Sequence, residues 1–549
     1  MILFTGETSY EVELDENILI TMRDGIRIAV DVHRPKAQDK FPALLSMSPY
    51  GKEKQRYPES VIGIFTKVEA GDTKYFVSKG YVHVIADVRG SSPSEGQWNV
   101  LDKKEQQDGY ELIEWIAKQP WCNGKVAMVG ESYFAAIQYL VAATQPPSLV
   151  TIVPCDGFTD AYRDWIYQGG MYNAGQLGYF IPSTYETCLP QGERPSKKWQ
   201  PPAPIILDTI LRPTDGSYYW ERSSYTKFDK ITVPIYHMTS AGHFVHYRGQ
   251  LNAYMAINKP KKLLIGAAPP FEMFHSPALS QQIVRWLDYW LKGIDTGIMN
   301  EPPVAVYLTG SDEWRYEFEY PLARTEWTSW YLHRGSGNGA SKPPYGLLNV
   351  DRPTEEEAGD SYDYPESQRS VASNQPVLAY LTSPLDRDME IIGPASLILY
   401  AASTADDMNW VIKIDDQAPD GSIAVVTKGW LKASHREIDP AKSKPGQPFH
   451  THSNPTRIEP NKTYKYEIEL WPIFHTFRAG HRLRLRIASG DSFIWDVMNA
   501  HNALFQPGRN TIFHNMACPS HLILPIIPSG TGKIEPRPAI DYKPPSRNR

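Results

Sequence analysis

Chemistry is most legible in the stretch Val126-Ala-Met-Val-Gly130-Glu131-Ser132-Tyr133-Phe134-Ala135-Ala136, where an apolar run stops at Gly-x-Ser and passes into a helix-forming segment. The pattern reads as a nucleophile elbow. A short buried strand lifts a serine onto a tight turn, and the first amides of the next helix, beginning with Tyr133 N–H, point to where an oxyanion would form. Phe134 stands where G-x-S-x-G has its second glycine, so an ordinary strand-to-helix turn is the competing reading. A serine also needs a base within hydrogen-bond reach, so the histidines and acids brought to the same crevice decide the chemistry.

The other reactive residue types point elsewhere. Cys122, Cys155, Cys188 and Cys518 are scattered without C-x-x-C spacing, which suits neither a zinc site nor a disulfide framework. Cys155, near the edge of the presumed site, reads as a buried structural thiol. His435, His450, His452, His475 and His481 lack metal spacing and are expected to have no acidic partner, so structural or surface roles are expected of them. Asp160 and Arg163 have the spacing of a helical ion pair. No cofactor and no metal is expected.

These residues must be held by a large scaffold. A chain of 549 residues exceeds one ordinary core, so two or three domains are expected. With 41% hydrophobic and 21% charged residues and a net charge of −6, the composition is that of a globular protein without the basic face that nucleic acid requires. No apolar run reaches the ~20 residues of a membrane span. The segment Met1–Asn17 is acidic and does not read as a secretory signal, so a cytoplasmic address and no membrane partner are expected.

Strands and helices alternate through the first third. Arg23-Asp24-Gly25 marks a hairpin; Ala43–Met47, Val82–Ala86, Val126–Val129 and Leu149–Val153 read as strands covered on both faces. Leu112, Ile113 and Ile116 recur at helical spacing, and Ile137, Leu140 and Val141 line the helix after Ser132. Such βαβ alternation implies a mostly parallel sheet with ligands at the carboxyl ends of its strands, where Ser132 falls. Residues 157–230, crowded with aromatics, glycines and prolines, read as an inserted cap. Two strands (Thr232–Met238 and Lys262–Ile265) and a helix over Ala278–Lys292 close the unit. Beyond Pro302 the runs Val304–Leu308, Trp327–Leu332, Ala395–Tyr400, Trp410–Ile414, Tyr464–Leu470 and Arg482–Ile487 read as a jelly-roll sandwich. The expected division is 1–156 and 231–302 for the sheet domain, 157–230 for a helical cap, 303–528 for the jelly roll and 529–549 for a surface tail.

The chain resembles the cocaine-esterase-like (CocE/NonD) serine hydrolases, relatives of the X-Pro dipeptidyl-peptidases and α-amino-acid ester hydrolases. The resemblance spans nearly the whole length. It rests on Ser48-Pro-Tyr-Gly-Lys52, Ala86-Asp-Val-Arg-Gly-Ser91 with Ser94-Glu-Gly96, Gly130-Glu-Ser-Tyr133, Asp160-Ala-Tyr-Arg163, Gly429-Trp-Leu-Lys-Ala-Ser-His-Arg436 and Ala479-Gly-His-Arg-Leu-Arg484. It implies an α/β class fold: an α/β-hydrolase domain with a helical cap insertion and a C-terminal all-β jelly roll. It also implies acyl transfer by Ser132, with the Tyr50 hydroxyl joining Tyr133 N–H in the oxyanion hole.

The sequence departs from the family at the other two triad positions. Where the family has an Asp, this chain reads Thr239-Ser-Ala-Gly-His243; where it has a His, this chain reads Gly266-Ala-Ala-Pro-Pro270. No Asp or Glu lies between Ile231 and Phe271, and Ala135 replaces the glycine expected three residues after the serine. Three readings remain open. A rebuilt triad would draw its base from His243, His246 or His275, with His243 first by position, and its acid from Asp156 at the end of the preceding strand. A repurposed site would use Tyr50, Ser132 and a pocket histidine for cyclisation, isomerisation, condensation or dimerisation. A silent binding module is the third. The expected partner is a small, apolar or aromatic molecule, in a chain that can also form a homo-oligomer.

Overall fold

A computed structural model describes residues 9–56, 69–189, 196–267, 274–335, 345–364, 377–491, 496, 500–501, 507–531 and 540. The expected tail therefore lies almost wholly outside the described residues, as does Pro270. Among the described residues, no helix is long and apolar enough to cross a membrane.

The first sheet is built from β1 (Val12–Thr21), β2 (Arg27–Pro35), β3 (Phe41–Ser48), β4 (Val82–Asp87), β5 (Cys122–Glu131) and β6 (Leu149–Cys155). A two-residue hairpin of the cap supplies β7 (Tyr167–Gln168) and β8 (Met171–Tyr172), which pair only with each other. The chain then returns to the sheet with β9 (Ile235–Ala241), β10 (Lys261–Ala267), β11 (Val304–Leu308) and β12 (Glu313–Glu317). The strand order is β1-β2-β4-β3-β5-β6-β9-β10-β11-β12, parallel from β4 through β11. Every residue of β3 and β4 is buried, as befits parallel strands covered on both faces.

Helices α1 (Thr73–Ser78), α2 (Lys103–Ala117) and α3 (Tyr133–Ala142) supply the cover. The cap contributes a π-helical turn at Ala161–Ile166, α4 (Ala174–Cys188), α5 (Ile205–Ile210) and α6 (Ser217–Glu221); α7 (Tyr247–Ala256) follows β9. The helix expected over Ala278–Lys292 runs from Pro277 to Leu287, capped by Ser276, and ends in a π-helical turn to Lys292.

One strand changes sheet relative to expectation. The sequence pattern places Val304–Leu308 in the sandwich, but the strand pairs in parallel with β10 and carries β12 as an antiparallel edge. All five of its residues are buried, so it has no alternation to distinguish a parallel strand from a sandwich-core strand.

The second sheet runs from Glu326–His333 to His521–Ile527 and is largely antiparallel. It closes on itself, because Met389–Ser403 pairs both with Tyr464–Phe477 and with His521–Ile527, while the latter also pairs with Glu326–His333. Closure removes the edges of the ring itself and leaves Asp360–Tyr364 on a side branch, attached through Gly508–Phe513. In Arg482–Ala488, the leucines and isoleucine at 483, 485 and 487 point into the core between half-exposed arginines, the period of two expected of such a strand.

The two units share a hydrophobic cluster in which Phe244, Tyr247 and Leu251 meet Trp430, Trp471 and Phe474. Two buried arginines cross the same seam. Arg163 is paired with Asp160 and Asp215, both at 2.9 Å, and donates to the carbonyl of His450 at 2.9 Å. Arg248, on α7, joins Asp164 of the cap at 2.7 Å to Glu469 of the second sheet at 2.9 Å. The Asp160–Arg163 pair is thus part of an interdomain clamp. The expectation that His475 and His481 lack an acid is corrected too: Asp416 accepts from His475 Nε2 at 3.0 Å and His481 Nδ1 at 2.8 Å, having been brought across the sheet from 59 and 65 residues away.

Candidate active site

Ser132 closes β5 in a strained turn with φ +59° and ψ −114°, a backbone state that a non-glycine residue keeps only when its surroundings hold it there. The holding contacts are explicit. Ser132 N–H donates to Cys155 O of the neighbouring strand at 2.9 Å, Glu131 N–H donates to Glu69 O at 2.9 Å, and Ser132 O accepts from Ala135 and Ala136 at 3.0 and 2.9 Å. Gly130, at φ +134°, gives way to Phe134: a Cβ there would stand 2.5 Å from that side chain's Cβ.

Ala135 is accommodated by a second glycine. A Cβ on Gly157, just past β6, would lie 2.8 Å from the Ala135 Cβ and 2.9 Å from the Ala136 nitrogen. The space that a glycine in the elbow helix would provide is supplied here from the adjacent strand end.

Tyr50 lies just past β3, fully buried, with its ring edge-on to Tyr133, Phe134 and Phe180 at 5.9, 5.9 and 6.2 Å. Burial, reinforced by the charge of Glu69, holds the pKa of its hydroxyl well above the ordinary phenol value, with the nearby Ser132 side chain opposing the rise. It stays a neutral O–H. The Tyr133 side chain is committed to the scaffold: its hydroxyl donates to Glu105 at 2.8 Å and accepts from Trp98 Nε1 and Leu101 N–H. Only its main-chain N–H, the first amide of α3, is left to face a ligand.

Asp156 follows β6 directly, at φ +48° and fully buried. Its N–H donates to Met238 O at 2.8 Å; Oδ1 accepts from Thr239 Oγ1 at 2.7 Å and Ser240 N–H at 2.9 Å, and Oδ2 from Ser240 Oγ at 2.7 Å. Burial raises its pKa, with His243 and these donors opposing the rise. His243 and His246 sit in the tight turn between β9 and α7, their rings 4.3 Å apart. One donor atom each from Asp156, His243 and His246 lies within 4.8 Å of the other two. Burial lowers the pKa of both imidazoles, His246 the further, so both are neutral near pH 7. Nδ1 of each is buried with no hydrogen-bond partner among the described residues.

His275 does not join this group. Its ring packs edge-on to Phe274 at 5.3 Å on the turn before the Pro277–Leu287 helix, and Phe274 is itself held in the core with Phe76 and Leu279. Three further residues shape the site. Phe180 touches Trp165 at 5.3 Å, Trp165 stacks on Phe158 at 5.1 Å, and Phe158 lies parallel to His246 at 6.4 Å. With the Tyr50–Phe180 contact, these rings form an unbroken arc from the hydroxyl beside Ser132 to the histidine pair. The aromatic richness of the cap signals such a wall, but pattern alone does not single out these three.

Sequence reading also passed over Glu131 and Glu69 as a pair. Glu131 is buried, and burial together with the charges of Glu69 and Asp156 pushes its pKa well above the carboxylate range. The signal available was a glutamate in the Gly-x-Ser slot at the end of a buried strand; nothing local marks Glu69.

Comparison with known proteins agrees with this architecture. The family profile described as X-Pro dipeptidyl-peptidase (S15 family) matches residues 24–269, and that of the X-Pro dipeptidyl-peptidase C-terminal non-catalytic domain matches residues 296–523. Cocaine esterase of a Rhodococcus species is 26% identical over an alignment covering 93% of this chain and 98% of the esterase. Among solved structures, a CocE/NonD family hydrolase from Staphylococcus aureus superposes with a TM-score of 0.82 at 23% identity, covering 94% of each chain. An aminopeptidase from a marine-sediment Thaumarchaeota archaeon gives 0.75 at 18% identity, covering 96% of this chain and 98% of its own. The elbow, the cap, the closed β domain and the two adjoining profile matches lead to one assignment: the chain belongs to the CocE/NonD, X-Pro dipeptidyl-peptidase-like family of α/β-hydrolases.

Proposed function

We propose that this serine hydrolase-like enzyme cleaves an ester or amide of an apolar or aromatic small molecule by acyl transfer through Ser132. The observation that carries the reading is the strained turn at the end of β5, which sets Ser132 beside the neutral Tyr50 hydroxyl. Ser132 Oγ attacks the carbonyl carbon while His243 takes its proton; Tyr50 O–H and Tyr133 N–H hold the oxyanion. Collapse returns the proton from His243 to the departing alcohol or amine. Water, deprotonated by the same imidazole, then releases the acid and frees the serine.

Asp156 stabilises the transient imidazolium from within its cage of Thr239 and Ser240 donors. Acid and base thus come from the ends of β6 and β9. The arc Phe180–Trp165–Phe158 supports a flat apolar acyl or leaving group, because such rings bind by area and edge contact.

A fluorophosphonate probe tests the proposal: it should modify Ser132, and Ser132→Ala should abolish both labelling and turnover of p-nitrophenyl esters. An unlabelled serine in folded protein would sink it.

One observation favours a second reading. Three acceptor positions of Asp156 are already occupied, and Nδ1 of His243 has no hydrogen-bond partner among the described residues, so no hydrogen bond joins Asp156 to that nitrogen. A neutral imidazole opposite a phenolic donor can move a proton to or from an enolate, the chemistry of isomerisation or condensation. Under that reading, Ser132→Ala retains turnover of the natural substrate while Tyr50→Phe loses it.

A further inference from the structure

We propose that Asp156, His243 and His246 bind one divalent transition-metal ion of the zinc class, and that the bound ion silences Ser132 by occupying the His243 lone pair. The silencing rests on the acyl-transfer reading above; the metal site does not. It also departs from the sequence-based expectation of no metal.

The donors already converge, with one atom from each residue within 4.8 Å of the other two. Two imidazoles and one carboxylate form a borderline N,N,O set, which suits Zn²⁺, Co²⁺ or Ni²⁺ better than the oxygen-seeking Mg²⁺ or Ca²⁺. A tetrahedral ion with bonds of about 2.0–2.1 Å draws its ligands to about 3.4 Å from one another, a closure that side-chain rotation in the His243–His246 turn can supply.

The ligands are also supported. Hydrogen bonds from Thr239 and Ser240 fix the Asp156 carboxylate and take three of its roughly four acceptor positions, leaving one for a monodentate bond. His246 is 5% exposed, and its Nδ1 is buried without a hydrogen-bond partner among the described residues. A buried polar atom in that state is costly unless something meets it, and a cation between the two rings would meet the pair together. Ligation and proton acceptance draw on the same lone pair of His243, so the two states exclude each other.

The experiment uses the full chain, stripped with a chelator and titrated with Co²⁺. One equivalent should produce the visible absorption of tetrahedral cobalt, displaceable by Zn²⁺. His246→Gln, His243→Gln and Asp156→Asn, each checked for native circular dichroism, should weaken binding by about 100-fold or more, since even supporting residues cost 10–100-fold. In parallel, fluorophosphonate labelling of wild-type Ser132 should be fast in chelator, blocked by one equivalent of Zn²⁺ and restored by more chelator. No stoichiometric cobalt band, or a band unchanged in all three variants, overturns the site. Labelling that persists with Zn²⁺ bound overturns the silencing. A band that depends on the three residues, with no labelling even in chelator, upholds the site and overturns the acyl-transfer reading.

Discussion

Replacing Tyr50 by phenylalanine tests the proposed oxyanion donor apart from everything else that residue does. The ring is held edge-on by Tyr133, Phe134 and Phe180, and none of those contacts involves the hydroxyl. The variant therefore keeps the pocket wall and loses one O–H. Loss of a single preorganised donor to an oxyanion costs about 2.7–4 kcal/mol in the transition state, or 10²- to 10³-fold in kcat. The ground-state ester gains little from that donor, so KM should stay within about threefold. Folding should lose no more than about 1 kcal/mol, the net worth of one hydrogen bond. The assay is steady-state hydrolysis of p-nitrophenyl esters, with urea unfolding as the control. A fall in kcat of less than about tenfold, or an effect confined to KM, would refute the assignment and leave Tyr50 a wall residue.

Other tests concern the elbow and its proposed base, His243. His243 must be neutral to accept a proton, and burial lowers its pKa below 6.5; the neutral form therefore persists as the pH drops past that value, and the acid limb of kcat/KM should fall below pH 6.5. A limb at or above 6.5 would point to a more exposed base. Ser132→Ala and Ser132→Gly both delete the hydroxyl, but only glycine relaxes at φ +59°. Strain relief of about 1–3 kcal/mol, less about 0.4–1 kcal/mol for the freer unfolded chain, should leave the glycine variant about 1 kcal/mol the more stable in urea. Gly157→Ala drives a Cβ to 2.9 Å from the backbone of the elbow helix, so it should lower both stability and kcat; unlike a side-chain clash, this one is not cured by adding Ala135→Gly. Equal activity in the single variant would show that the elbow has slack.

What could be read in advance was local. The apolar run into Gly130-Glu-Ser132 announces a strand, a strained turn and a helix within one window, and Asp156 follows from the rule that adjacent parallel strands end at one crevice. Val304–Leu308 reads as a sandwich strand yet joins the first sheet, because a five-residue buried run carries no mark of the sheet it joins. The role of Gly157 was hidden for a related reason: only the pairing of β5 with β6 sets it against Ala135. His475 and His481 looked unpartnered until folding delivered Asp416 between them. Long-range contacts of this kind have no periodicity to betray them.

The Arg248 clamp bears on how members of this family can be recombined. His246 caps the helix on which Arg248 lies two residues later, and that arginine is gripped by the cap through Asp164 and by the β domain through Glu469. The two histidines therefore take their bearing from three separate segments of the chain. A chimera that borrows a relative's C-terminal domain without a carboxylate matching Glu469 would leave a buried guanidinium short of a partner, and the first thing to drift would be the loop carrying His243 and His246. In grafting experiments the donor domain should be chosen by that one residue before overall similarity is weighed.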